Sequence, residues 1–178
     1  MPEILLRPTV DGDVDACTAI YRHHVLHGTA SFELEPPDLA EMARRRADVL
    51  AKGLPYLAAV RGGRVVGYAY VNHFRPRPAY RYTVEDSIYV DESERGRGVG
   101  RLLLAELVSR SEAAGARQML AVIGDSANRA SIGLHRALGF EDCGLLRSVG
   151  HKFGEWRDVV MMQRLLGPGD AAAPTGIA

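Results

Sequence analysis

Apolar and polar positions follow one another along this chain in blocks whose period changes several times. Ile4 to Arg7 is a short apolar run closed by Pro8, which predicts an edge strand because proline cannot donate to a sheet ladder. Val14, Cys17, Ile20, Tyr21 and Val25 keep helical spacing behind the acids at 11–15, and Gly28-Thr29 ends that helix. Pro36-Pro37-Asp38 opens a second helix over 39–51, which stops at Gly53. Two strand-like runs, 56–60 and 65–74, flank Arg61-Gly62-Gly63-Arg64 and predict a hairpin. Arg75-Pro76-Arg77-Pro78 must be a loop, and 82–90 is the next strand. A charged, glycine-rich turn over 91–100 then leads into an amphipathic helix marked by Val99, Leu102, Leu103 and Leu107, ending near Gly115. A buried strand at 118–123, a helix at 128–138 closed by Gly139, and strands from Phe140 to Leu166 complete the pattern. This irregular order predicts α/β layers around a mixed sheet, one domain over residues 1–166 and a flexible tail over 167–178.

Composition narrows the function. The chain has 178 residues, 47% of them apolar and 25% charged, which suits a globular domain with a full core. Its 22 basic and 22 acidic side chains sum to zero, which excludes broad electrostatic capture of nucleic acid or of anionic membrane as the main activity. No apolar run approaches the ~18 residues of a membrane span, and the first residues lack a basic leader, so a cytoplasmic protein is expected. Cys17 and Cys143 form neither a disulfide framework nor a metal-ligand cluster, and Cys17 is expected in the core. No metal is expected.

The sharpest local feature is Arg95-Gly96-Arg97-Gly98-Val99-Gly100 between a strand and a helix. Glycines let the backbone approach a ligand closely, and the first N–H groups of a helix lack internal partners and sit at the positive end of its dipole. Such a turn binds phosphate. A Walker loop is excluded because no Gly-Lys-Ser/Thr follows, and the G-x-G-x-G spacing fits a dinucleotide fingerprint poorly.

The R-x-x-G-x-G pattern at Arg95, Gly98 and Gly100 resembles the acyl-CoA signature of the GNAT N-acetyltransferase superfamily. The segment from Asn128 to Phe140 resembles that superfamily's second motif. Thr83-Val84-Glu85-Asp86-Ser87-Ile88-Tyr89-Val90 and Gly150-His151-Lys152-Phe153-Gly154-Glu155-Trp156-Arg157-Asp158 are similar to the branch that acetylates phosphinothricin and methionine sulfoximine. The resemblance runs from Ile4 to about Leu166. It implies the GNAT fold, with a central mixed, mostly antiparallel sheet flanked by helices, acetyl-CoA as co-substrate, a small-molecule amine as acceptor and a homodimer.

It also implies roles. The pyrophosphate of acetyl-CoA is expected on Arg95, Gly96, Arg97, Gly98, Val99, Gly100 and Arg101, and its pantetheine arm along Ile88, Tyr89 and Val90. Glu85 corresponds to the base of such enzymes, with Asp86 as the other carboxylate on the strand. Asn128 and Ser131 fall at cofactor-contacting positions, and His135 replaces the usual tyrosine, as an acid or as a positioning residue. Arg75 and Arg77, in a loop stiffened by Pro76, offer planar forks for a substrate carboxylate, beside Asp86, Ser87 and a lid residue, Phe32. Trp156 is expected in the core or in a dimer contact. Acetylation of another small amine or a protein N-terminus, a non-catalytic acyl-CoA sensor and a nucleotide-binding module are the alternatives.

Overall fold

The computed structural model describes residues 3–174. In chain order the elements are β1 (Ile4–Pro8), α1 (Val14–His27), α2 (Leu39–Ala51), β2 (Tyr56–Arg61), β3 (Arg64–His73), β4 (Thr83–Val90), α3 (Val99–Ala113), β5 (Gln118–Gly124), α4 (Arg129–Ala137), β6 (Glu141–Lys152) and β7 (Glu155–Leu165). The described strands form one sheet in the order β1-β2-β3-β4-β5-β7-β6. Every neighbouring pair is antiparallel except β4 and β5, so the sheet is mixed as the sequence predicts, with β1 at its edge.

Local chemistry sets these boundaries. Asp38 stands in extended conformation before α2, and its Oδ1 accepts the Glu41 N–H at 2.8 Å, which satisfies one of the helix's free donors. The β2–β3 hairpin turns on Gly62 and Gly63 at φ +57° and +79°, the left-handed pair that a two-residue turn needs to match strand twist.

Strand alternation sends side chains to two different layers. On β3, Gly67 faces α3 so closely that a Cβ would lie 3.1 Å from Leu103 and 3.2 Å from Val99. The next residue, Tyr68, faces the opposite side, where its ring stacks 5.3 Å from Tyr89 and Tyr89 meets Tyr21 of α1 edge-on. Helices α1 and α2 thus cover one face of the sheet, and α3 covers the other. Leu57, Leu103, Leu104, Leu107 and Met119 have lost all contact with solvent, each such burial stabilising the fold by about 1.5–3 kcal/mol. Cys17 belongs to the same core.

The last third departs from the sequence pattern. Strand β7 begins at Glu155, ahead of the apolar run at 159, and β6 is a twelve-residue, largely exposed strand with irregular register near Asp142 and between Leu146 and Gly150. Broken register scrambles the period-2 signal, and an exposed strand carries little of it. Trp156 is 67% exposed and does not join the core. Of the tail expected over 167–178, the last four residues lie outside the described residues, as do residues 1–2. No described helix is long and apolar enough to cross a membrane, and no described group of three His, Cys, Asp or Glu could hold a metal ion.

One irregularity matters most for function. Strands β4 and β5 pair only at Thr83–Gln118, Val84–Met119 and Glu85–Leu120. Beyond Glu85 they part.

Candidate active site

The gap between the parted strands opens into a cleft of about 550 Å³. Its walls are residues 85–90 of β4, residues 121–124 of β5, and the first turns of α3 and α4. Backbone bonding fixes which groups face it. Phe74 N–H donates to Thr83 and Asp91 N–H to Val66, so Glu85, Ser87 and Tyr89 direct their backbone groups at β3. Asp86, Ile88 and Val90 therefore direct theirs away from β3, into the cleft. The Val90 carbonyl accepts a hydrogen bond from His24 Nε2 at 2.9 Å. Nothing in the spacing of α1 singles out His24 for this contact.

The glycine turn forms one end of the cleft. Gly98 caps α3 at φ +82° and Gly96 sits at φ +71°, both in the left-handed region where a side chain is strained. A Cβ at Gly100 would come within 3.3 Å of Leu134 on α4, so the two helices approach closely there. Arg95, Gly96, Gly98, Val99 and Gly100 line the cleft, whereas Arg97 and Arg101 are exposed beyond its lining. The turn is braced from beneath. Buried Glu94 pairs with Arg61, and Asp91 accepts from Arg64 at 2.8 Å and from the Ser93 N–H at 2.9 Å. A rigid, glycine-lined helix N-terminus leading to an open strand edge fits a diphosphate joined to an amide-bearing arm.

Successive residues of β4 place two carboxylates on opposite faces. Asp86 is buried and its Oδ2 lies 3.0 Å from His135 Nε2. The other ring nitrogen, Nδ1, lies 2.8 Å from the Ser131 carbonyl oxygen. Two acceptors around one imidazole favour the doubly protonated ring. Burial opposes that charge, but the Asp86 hydrogen bond and charge, with the Ser131 carbonyl, outweigh it and raise the His135 pKa. Glu85 points to the other face. Burial, reinforced by the Asp86 charge and opposed by Arg75, lifts its carboxyl above the ordinary range.

The remaining candidates divide. Asn128 caps α4, its Oδ1 accepting the Ser131 N–H at 3.2 Å, and Asn128, Ser131, Ser87 and Phe32 all line the cleft. Arg75, Pro76 and Arg77 are exposed and lie outside the lining. Arg75 stacks on Phe74 at 4.7 Å and is close enough to act on Glu85, whereas Arg77 has no such tie. The sequence does not reveal the Asp86–His135 pair, because 49 residues separate its members.

This geometry defines a transferase site for an acyl-CoA donor. The model of the Acetyltransferase (GNAT) family matches residues 18–140. The chain belongs to that family. It is 55% identical over 169 residues to phosphinothricin N-acetyltransferase of Alcaligenes faecalis, covering 95% of this chain and 86% of the relative. It is 43% identical over 157 residues to L-methionine sulfoximine/L-methionine sulfone acetyltransferase of Pseudomonas aeruginosa, covering 88% and 91%. Among solved structures, the GNAT superfamily phosphinothricin acetyltransferase from Sinorhizobium meliloti, in complex with AcCoA, superposes with a TM-score of 0.94 at 50% identity, covering 97% of this chain and 93% of that one. The protein is an acetyltransferase whose co-substrate is acetyl-CoA. The nucleotide-module alternative falls.

The buried pair has a testable pH signature. A raised folded pKa means that the His135 contribution to stability is complete below its unfolded value near ~6.5 and is lost as pH rises through the higher folded value. Asp86→Asn leaves the charged ring without its anion, at a cost of about 3 kcal/mol. The loss in thermal stability is therefore expected to be largest below about pH 6 and to shrink as pH rises through the folded value of His135. Thermal unfolding across pH checks this, and a deficit that grows with pH contradicts it.

Proposed function

We propose that the acceptor is the α-amine of a small amino-acid analogue of the methionine sulfoximine, methionine sulfone or phosphinothricin type, acetylated by direct transfer. The observation that carries this reading is Glu85, a carboxyl of raised pKa placed where β4 parts from β5 and the cleft begins. The relatives named above support the substrate class.

In this reading the N-terminus of α3 and the glycines of its turn hold the pyrophosphate of acetyl-CoA, while Ile88 and Val90 offer backbone partners to the pantetheine arm. Bound acetyl-CoA supplies an electrophilic acetyl carbonyl. Glu85 takes a proton from the substrate ammonium, directly or through water, and so frees the lone pair that attacks the acetyl carbonyl; the thioester C–S bond then breaks, the new amide nitrogen gives up its remaining extra proton, and CoA leaves as a thiolate that takes a proton from solvent. Its burial and the nearby Asp86 charge make it a stronger base than an exposed glutamate. Arg75 stands near enough to Glu85 to receive the substrate's carboxylate while the ammonium faces the base. His135 positions the site in its charged form, because both of its N–H groups are directed at acceptors and releasing a proton would break one of those bonds.

The protein is further proposed to work in the cytoplasm as a homodimer. The support for a dimer is the β6–β7 hairpin, where Leu145, Leu146, Val149, Phe153 and Trp156 are all exposed. Sedimentation equilibrium is expected to give twice the chain mass in the wild type and the chain mass in Trp156→Glu; a monomeric wild type refutes the dimer.

A thiol-release assay tests the activity. Turnover is expected with methionine sulfoximine, methionine sulfone or phosphinothricin and not with simple alkylamines. Bound acetyl-CoA without turnover of any of them would refute this acceptor class. Glu85→Gln is expected to lower kcat by about a hundredfold or more while acetyl-CoA affinity holds, and near-wild-type kcat removes Glu85 as the base.

A further inference from the structure

Two glycines and a lysine that the proposed chemistry does not use converge on the segment around Phe32. Gly124 ends β5 and Gly150 lies near the end of β6, and neither has a positive φ, so the backbone does not demand glycine at either place. Space does. A Cβ on Gly150 would overlap the Phe32 ring, 2.5 Å from Cδ2 and 2.8 Å from Cζ. A Cβ on Gly124 would lie 3.0 Å from the opposite ring edge at Cε1 and 2.5 Å from the Thr29 carbonyl oxygen. The ring is therefore held between two strands at bare backbone.

The neighbouring residue is fastened as well. Lys152 is only 3% exposed, and its Nζ donates to the Ser31 carbonyl at 2.7 Å. Ser31 Oγ bonds the Tyr21 hydroxyl at 2.9 Å, and Glu33 on the far side is held by Tyr21 and Arg45. Burying a lysine is costly unless its charge is met, and here burial lowers its pKa while the nearby Glu33 charge opposes the shift. A residue retained at that cost, bonded to the backbone beside Phe32, fixes where the α1–α2 segment lies. Phe32 then lines the same cleft as Glu85, at the β5 end.

We propose that Gly150, Gly124 and Lys152 form a seat that presses Phe32 against the amine-binding end of the cleft, making them positioning residues that set how large an acceptor side chain the enzyme takes. This rests on the amino-acid-analogue reading above. Phe32 is the wall that touches substrate, and the other three act through it. A methyl group at position 150 forces the ring into the cleft and narrows it, whereas loss of the Lys152 bond lets the ring swing outward and widens it.

Two variants and one compensating pair test the seat, with steady-state kinetics on whichever amine the wild type acetylates. Gly150→Ala is expected to raise KM for that amine about tenfold, with kcat at saturation and KM for acetyl-CoA within about twofold of wild type. Adding Phe32→Leu, which removes the clashing ring edge, is expected to restore the melting temperature lost in Gly150→Ala, a readout independent of turnover. Lys152→Met is expected to improve the relative kcat/KM of acceptors with longer side chains. If wild type acetylates the analogues but Gly150→Ala leaves the amine KM unchanged, or shifts both substrates' KM equally, the seat is refuted and the functional reading stands. A melting temperature that Phe32→Leu fails to restore also refutes the seat. If the wild type acetylates no amine in the panel, the functional reading fails and takes the inference with it.

Discussion

The site depends on two neighbouring strands ceasing to bond. Over three residue pairs β4 and β5 are an ordinary parallel ladder, and after Glu85 they separate. A backbone edge in the middle of a sheet normally finds its partner in the next strand, because amide and carbonyl groups cut off from water and left unpaired are costly. Here the edge of Asp86, Ile88 and Val90 faces a cleft instead, and part of it is met by a side chain, the His24 ring on Val90. An extended, amide-bearing ligand can add to such an edge as a strand would. The glycine turn and the N-terminus of α3 follow directly from the end of β4, so the place for the phosphates is set by the same strand.

Alternation along β4 then separates two kinds of chemistry. Asp86 turns toward α4 and is committed to His135, while Glu85 turns toward the α1 side, where Arg75 is the cation that acts on it. The Asp86 charge helps to keep the Glu85 proton affinity high, and Arg75 moderates it from the loop.

Much of this was legible in the residues. The Asp38 cap, the Gly62-Gly63 hairpin and the Gly98 turn act over a few positions, and local signals are what a sequence carries most directly. The zero net charge was equally informative once resolved into place, since Arg95 and Arg75 stand near the cleft and near Glu85. Contacts across the fold were not legible. His135 could be singled out on its helix, but its pairing with Asp86 depends on how α4 packs over β4. Phe32, Gly124 and Gly150 share a contact although they come from three distant segments. The extent of β6 was hidden because its exposure and irregular register leave no alternating pattern.

Hydrogen exchange at single amides of β4, with and without saturating acetyl-CoA, tests the central claim most directly. If the parted edge holds the pantetheine arm, the exchange of Ile88 slows sharply on binding, while Ser87 and Tyr89, already bonded to β3, change little. Binding that protects the glycine turn but leaves Ile88 unchanged would contradict it.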